Sequence, residues 1–298
     1  MEALRSRYLA EAGIWEGIVA DNEWADWIGR SECVADQADP KPVRALAATF
    51  DSQAGAQPGD LLPYLWHWIY FLPMAPMSQI GPDGHPRRGG FLPPLPLERR
   101  MWAGGRLVFH GELRVGDVLE KRSEILKVSL KEGKNGKVAF VTVKHEVSSP
   151  RGLAVEEEQD IAYVEMPKEF VPPKPIPLPE NLDWQEPCPI DPVKLFRFSA
   201  VTFNAHRIHY DFRYATQVEK YPGLVIHGPL QAMLLMRAAN LRTSGRRVAR
   251  FGFRAVRPVF DCDALFLSGR LKDDGGLDLY TSNGSGHICM QAELSWRS

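Results

Sequence analysis

The sequence predicts an α+β protein built from two halves alike in plan, each an antiparallel sheet curled around one central helix. Three observations carry that expectation. A helix-forming segment followed by four strand-like segments occurs twice in the 298 residues. Between the two occurrences lies "MPKEFVPPKPIPLPE", residues 166–180, too dense in proline for helix or central strand and suited to a stiff, extended connector. The helix of the second half contains "LQAMLLM", apolar nearly all round, and such a helix must be wrapped by a sheet. The expected units are therefore residues 1–165, the connector 166–180, and residues 181–298.

In the first half, "PKPVRALAATF" (residues 40–50) is a short helix with Asp39 at the N-cap and prolines in its opening turn. An irregular stretch follows, including the most apolar run of the chain, "LLPYLWHWIYFLPMAPM" at residues 61–77. Pro63, His67, Pro73 and Pro76 interrupt it, and it falls short of the roughly 20 unbroken apolar residues of a membrane helix. It reads as core or pocket wall. Strands are expected over "RLVFHGEL", "VLEKRSEILKVSL", "KVAFVTVKHEVS" and "LAVEEEQDIAYVE", with "EGKNGK" (132–137) as a hairpin turn.

In the second half, "YPGLVIHGPLQAMLLMRAANL" opens with turn residues and continues as a helix. Strands "RFGFRAVRPVF", "ALFLSGRL", "LDLYTSN" and "HICMQAELSWR" follow, with "KDDGG" and "NGSG" as turns. The layouts of "RLVFHGELRVGDVLEKRSEIL" and "RFGFRAVRPVFDCDALFLSGRL" match, which points to an internal duplication.

Composition narrows the function classes. A formal net charge of −1 lacks the basic footprint of a nucleic-acid binder. Cys33, Cys188, Cys262 and Cys289 lie far apart with no C-x-x-C pair, so neither a zinc ribbon nor a disulfide framework is indicated, and a reducing cytoplasm fits. "MEALRSRYLAEAG" has no apolar core of the kind a secretory signal needs.

The chemistry concentrates in "FSAVTFNAHRIHYD", residues 198–211. Asn204 and His209, five residues apart, would diverge by about 140° on an ideal helix and converge only if the chain turns between them. His206 and His209 share a helical face. One reading is a metal site of His206, His209 and Asp211, with His227, although no His-x-Glu or cysteine accompanies it. Gly228 and Pro229 in "VIHGPL" mark a helix start, where free amides and a partial positive charge offer an oxyanion site open to close approach. The bland reading there is an ordinary cap with a buried His227. Together, a water-activating turn and a carbonyl-polarising donor suit addition of water to, or its removal from, an α,β-unsaturated carbonyl compound.

The same stretch resembles the hydratase signature of MaoC-type hotdog-fold enoyl-CoA hydratases and 3-hydroxyacyl-thioester dehydratases. Phe198, Ser199, Thr202, Ile208, His209 and Asp211 fit that pattern, and "LVIHGPL" is similar to its His-Gly segment. Phe203, Asn204, His206 and Arg207 replace its glycine, catalytic aspartate, asparagine and proline. With "RRMWAGGRL" at 99–107, these departures resemble one branch: mitochondrial type 2 hydroxyacyl-thioester dehydratases and bacterial mesaconyl-C4-CoA or itaconyl-CoA hydratases.

The resemblance implies a double hotdog, two antiparallel sheets each wrapped around a central helix, with a non-catalytic first half. It implies His209 as the acid/base, Asn204 as the holder of water and Gly228 as the oxyanion donor. Asp211 either orients an imidazole or caps a helix, and His206 supports. The substrate is an acyl-CoA, with no cofactor and no metal. The acyl group is a short carboxylated enoyl group such as itaconyl or mesaconyl-C4, giving citramalyl-CoA. The alternatives are a dehydratase of fatty-acid synthesis and a non-catalytic acyl-thioester binding module. Arg246, Arg247 and Arg250, or Arg87 and Arg88, either meet the CoA phosphates or are solvated loop charge. Arg207 either holds the substrate carboxylate or pairs with Asp211 or a chain carbonyl. A homodimer is left open, since two halves in one chain can supply the pairing that single-hotdog relatives obtain by dimerising.

Overall fold

Runs that alternate apolar with charged residues make the strands, and ten of them form one sheet. The structure is a computed structural model describing residues 22–133, 136–243 and 245–297. The segment "MEALRSRYLAEAG" and the hairpin tip at 134–135 lie outside the described residues. In chain order the strands are β1 (Ser31–Gln37), β2 (Arg99–Phe109), β3 (Val118–Gly133), β4 (Gly136–Ser149), β5 (Gly152–Val164), β6 (Trp184–Pro187), β7 (Val248–Ala255), β8 (Leu265–Leu271), β9 (Leu277–Asn283) and β10 (Ile288–Trp296). The helices are α1 (Pro40–Phe50), α2 (Pro192–Val201) and α3 (Gly228–Arg242).

The expectation of two sheets is corrected. The order β1-β3-β4-β5-β2-β7-β10-β9-β8-β6 is a single antiparallel sheet, laid out alike from either edge to its middle. The halves merge because β2 pairs with both β5 and β7, from Gly104 opposite Arg254 to Val108 opposite Arg250. A side chain at residue 104 would start 2.6 Å from the Phe253 carbonyl oxygen, so the Gly104–Gly105 pair is what lets the two ladders meet. The edge strands β1 and β6 carry little apolar pattern, and the sequence reading did not anticipate them.

The helix α3 is buried along most of its length against β8, β9, β10 and β2, as its apolar circumference demands. Asp39 stands at the N-cap of α1, but its side chain accepts no hydrogen bond there; the Tyr70 hydroxyl instead donates to its carbonyl at 2.8 Å. The sequence reading did not anticipate the helix α2. Its start is nonetheless well signalled, because the Asp191 carboxylate accepts the Lys194 N–H at 2.7 Å and Pro192 occupies the first turn. Phe50 of α1 stacks on Phe198 of α2 with centroids 6.4 Å apart, joining both halves in one core.

Within the apolar run, Trp66, His67 and Ile69 are buried, and the polar atoms of His67 and Trp68 are satisfied by the buried carboxylate of Glu157 at 3.0–3.1 Å. Beyond β5, the proline-dense segment lies along β10's entry: Ile288 N–H donates to Ile176 O at 2.8 Å and Leu178 N–H to Gly286 O at 3.1 Å.

A loop of the first half docks on the second. Arg207 N–H donates to Asp83 O at 2.9 Å, and Gly84 (φ +90°) approaches so closely that a Cβ there would lie 1.8 Å from Ala205 O. Backbone cannot move aside as a side chain does. Gly84→Ala should therefore destabilise the protein by about 2–4 kcal/mol, combining clash with left-handed strain. Urea unfolding measures this; a loss below about 0.5 kcal/mol, the range of a neutral surface change, would show that the docking is not as tight as described.

Candidate active site

The turn that must bring Asn204 toward His209 is built residue by residue. The helix α2 stops at Thr202, whose hydroxyl donates back to Phe198 O at 2.7 Å. Phe203 then adopts φ +49°, a left-handed conformation that costs a non-glycine residue roughly 1–2 kcal/mol. Asn204 N–H donates to Ser199 O at 2.8 Å, and Asn204 Oδ1 accepts the His206 N–H at 3.0 Å. A single 3-10 turn, Arg207–His209, follows, and then a π-helical turn, Tyr214–Val218. Among the described residues nothing accepts from Asn204 Nδ2, which leaves that amide as a donor.

His209 is buried, with Nδ1 2.7 Å from Val225 O, while Val225 N–H donates to Ile208 O at 2.9 Å. The carbonyl can only accept, so Nδ1 carries the proton and Nε2 keeps a lone pair. The His227 ring stacks on His209 at 3.6 Å and 20°, and its Nε2 is hydrogen-bonded to Ser199 Oγ at 2.8 Å. His206 meets His209 edge-on at 5.4 Å and holds Glu219 Oε1 at 3.3 Å. Arg99 donates to the other oxygen of Glu219 at 3.0 Å. His85 of the docked loop lies 4.2 Å from His206 and bonds Asp83 at 2.9 Å.

Burial dominates the electrostatics. It holds the His209 imidazolium well below its ordinary range, with the His227 and His206 charges adding to the effect. Burial likewise pushes His227 down to about 3, and His85 down to about 3 with help from Arg100. His209 is thus a neutral imidazole presenting Nε2. Asp83 is opposed by its own burial, yet its bonds to His85 hold the carboxyl below the usual carboxylate range.

Gly228 opens α3 after His227 at the N-cap, and its N–H donates to no described group. A Cβ at 228 would meet only ordinary contacts, Trp102 O at 3.8 Å and Met290 Cε at 4.0 Å. The protein itself does not require glycine there; what the missing side chain leaves open is access to the amide.

The remaining candidates are placed elsewhere. Asp211 Oδ1 caps the next turn through the Tyr214 N–H at 3.0 Å, and Oδ2 accepts Arg207 Nε and Nη2 at 3.0 and 2.7 Å. Arg207 also donates to Pro82 O at 3.0 Å, so its guanidinium is engaged on both sides. The set His206, His209, Asp211 and His227 does not converge, because Asp211 turns to Arg207 and two of the rings stack face to face. The trio whose ligand atoms do approach within 4.8 Å is Asp83, His85 and His206. Arg246 covers the Trp296 ring at 4.7 Å, Arg247 reaches Glu112 at 3.2 Å, and Arg250 lies on β7. All three sit near the C-terminal end of α3, about 22 Å along the helix from Gly228 at 1.5 Å per residue. Arg88 binds the Leu95 carbonyl at 2.8 Å, and Arg87 is exposed. A cleft of about 580 Å³ runs beside the C-terminal half of α3, lined by Tyr64, Met233, Met236 and Arg237.

Glu219, Arg99, Asp83 and His85 were not identified from the sequence. The Gly-Pro-Asp-Gly-His spacing of 81–85 signals a tight turn but not where it docks, and Glu219 carries no local signal at all.

The profile of the family described as hydroxyacyl-thioester dehydratase type 2 matches residues 65–261. The chain is 46% identical to mesaconyl-C4-CoA hydratase of Chloroflexus aurantiacus over 91% of its length and 97% of that relative. It is 31% identical to the mitochondrial hydroxyacyl-thioester dehydratase type 2 of Schizosaccharomyces pombe, over 74% of this chain and 79% of that one. Among solved structures it resembles a MaoC-like dehydratase (TM-score 0.66, 14% identity, 91% of this chain and 98% of that one). A Mycobacterium tuberculosis protein described as a double hotdog fold aligns with TM-score 0.58 and 14% identity, over 90% of this chain and 96% of that one.

The buried histidines make stability depend on pH. His227 and His85 protonate in the unfolded chain near pH 6.5 but in the folded one only at about 3. Their contribution is complete above pH 6.5 and is lost as pH falls toward 3, because the unfolded state binds more protons. His227→Asn removes one such proton and should flatten the slope of unfolding free energy between pH 6 and 4 by up to about 1.4 kcal/mol per pH unit. Urea titrations across that range measure it; an unchanged slope would show that His227 is not held neutral.

Proposed function

The chain belongs to the hydroxyacyl-thioester dehydratase type 2 family, and on that footing we propose that it is a hydro-lyase adding water reversibly to a short, carboxylated enoyl-CoA thioester. Mesaconyl-C4-CoA and itaconyl-CoA are the substrates in view, each giving citramalyl-CoA; the double bond of mesaconyl-C4-CoA is already conjugated with the thioester, whereas that of itaconyl-CoA must first move into conjugation by transfer of a proton from the α-carbon to the methylene carbon. The 46% identical hydratase relative supports the substrate class. The observation that carries the mechanism is the tautomer of His209: its Nδ1–H is spent on Val225 O, so Nε2 faces the reaction as a base.

A water held by Asn204 Nδ2 loses a proton to His209 Nε2 while its oxygen bonds to the β-carbon. The π-electron pair of the double bond shifts to the α-carbon and thioester carbonyl, and the Gly228 N–H, at the positive end of α3, holds the resulting enolate oxygen. The imidazolium then returns its proton to the α-carbon. Burial favours that second half, because a depressed pKa makes the imidazolium a strong acid. His227 and Ser199 support the ring of His209 from behind, and Glu219 and Arg99 hold His206.

In this reading residues 181–298 carry catalysis, 166–180 connect, and the first half is scaffold that also lends Asp83 and His85 to the histidine cluster. No cofactor or metal takes part. Arg246, Arg247 and Arg250 receive the CoA phosphates at the far end of α3. The enzyme works in the cytoplasm, as a homodimer; no described helix is long and apolar enough to cross a membrane.

Turnover of mesaconyl-C4-CoA, itaconyl-CoA and crotonyl-CoA by the intact chain tests the substrate class. Preference for crotonyl-CoA or longer chains would favour a fatty-acid dehydratase, and no turnover a binding module. His209→Ala should cost about 10²- to 10⁴-fold in kcat with folding intact. Asn204→Asp should lower kcat about tenfold or more, since a carboxylate cannot donate to water; retained or raised activity would replace the single-base scheme with an aspartate one. Gly228→Ala keeps the N–H but sets a methyl group beside it, so the variant should keep its melting temperature and lose about tenfold or more in kcat. Normal turnover of that variant would show that the substrate does not approach the amide past position 228.

A further inference from the structure

A carboxylated acyl group brings a free carboxylate into a site where burial keeps His209, His227 and His85 neutral, and a buried carboxylate needs a fixed cation. Two arginines beside the histidines are committed. Arg207 is held by Asp211 and Pro82, and Arg99 by Glu219 and Tyr221. Arg100 differs. It is half-buried, and among the described residues no carboxylate lies within ion-pair distance of it.

Register shows where Arg100 faces. It stands opposite Tyr163, as Trp102 stands opposite Ile161 and Leu107 opposite Glu157, all pairs on the inward face of the β2–β5 ladder. The bulge at Ala103 keeps Arg100 and Trp102 in line with Leu107. The Trp102 carbonyl lies 3.8 Å from the Cβ position of Gly228, so this face of β2 reaches the start of α3. Tyr163, the cross-strand neighbour, has a buried hydroxyl without a well-formed hydrogen bond, and Arg100 is the group close enough to act on it. Arg100 is close enough to His85 for its charge to weigh on that ring, which leads through His206, at 4.2 Å, toward His209, at a further 5.4 Å.

We propose that Arg100, with the Tyr163 hydroxyl as second donor, holds the free carboxylate of the substrate and so selects monothioesters of unsaturated dicarboxylic acids over uncharged enoyl-CoAs. The proposal rests on the hydratase reading given above. A guanidinium fork suits the task because it offers two parallel donors to one carboxylate.

The test compares mesaconyl-C4-CoA with crotonyl-CoA on the full chain. Arg100→Met should lower kcat/KM for mesaconyl-C4-CoA about 100-fold or more while changing that for crotonyl-CoA by less than about threefold. Arg100→Lys should recover only part of the loss, because an ammonium is a point charge. Tyr163→Phe should cost about tenfold on mesaconyl-C4-CoA alone. Equal losses on both substrates would make Arg100 merely structural, and no loss would place the carboxylate elsewhere; either result overturns the proposal. Should Arg100→Met fail to fold, the two conservative variants decide by the same ratio. A wild-type protein that prefers crotonyl-CoA would instead overturn the substrate reading, a result separable from the failure of Arg100.

Discussion

The hydrogen-bonded seam between β2 and β7 sets the position of everything else. It joins two half-sheets into one and fixes the first half against the second in a single register. Because of it, the loop carrying Asp83, Gly84 and His85 arrives on the histidine-bearing turn of the other half, and β2 arrives at the start of α3. The seam depends on two glycines, since a side chain at Gly104 would collide with backbone that has nowhere to go. The histidine site is thus assembled across the chain's own symmetry, although the motif lies in one half only.

Burial and hydrogen bonding act in opposite directions on the site's charges, and they win at different residues. For the imidazoles burial wins, so His209, His227 and His85 are neutral. For Asp83 the hydrogen bonds from His85 outweigh burial, and the carboxylate persists. The outcome is a neutral base enclosed by ion pairs. His209 has its tautomer fixed by a backbone carbonyl, Glu219 is neutralised by Arg99, and Asp211 by Arg207. Glu219 and Asp211 each occupy an arginine, and Asp83 is held by the neutral His85, so a substrate charge must be met by a group outside those pairs.

Much of the fold was legible in the sequence. The alternating strands, the apolar α3 and the Gly-Pro start of that helix were each carried by a local pattern and are found close to where it places them, except that β2 begins at Arg99, seven residues ahead of the expected strand, and stops at Phe109. The misses also have local reasons. The edge strands β1 and β6 are exposed or short and carry little alternation. The helix α2 was hidden because its apolar residues continue into the motif, although Asp191 and Pro192 did mark its start. The pairing of β2 with β7 joins residues about 150 positions apart, and no periodicity speaks of that.

For the site, the sequence by itself determined the elements of the proposed chemistry: His209 on a turn after "FSAVTFN", Asn204 ahead of it, and Gly228 at a helix start. Turn chemistry and helix capping are local, so residue types a few positions apart suffice to specify them. Only the tertiary structure decided the tautomer of His209, the stacking of His227, and the pairing of Arg207 with Asp211 in preference to a free role. It also decided that Asp83, His85 and Arg99 of the first half meet Arg207, His206 and Glu219 of the second. Those are contacts across the seam, and desolvation and charge pairing depend on what lies close in space.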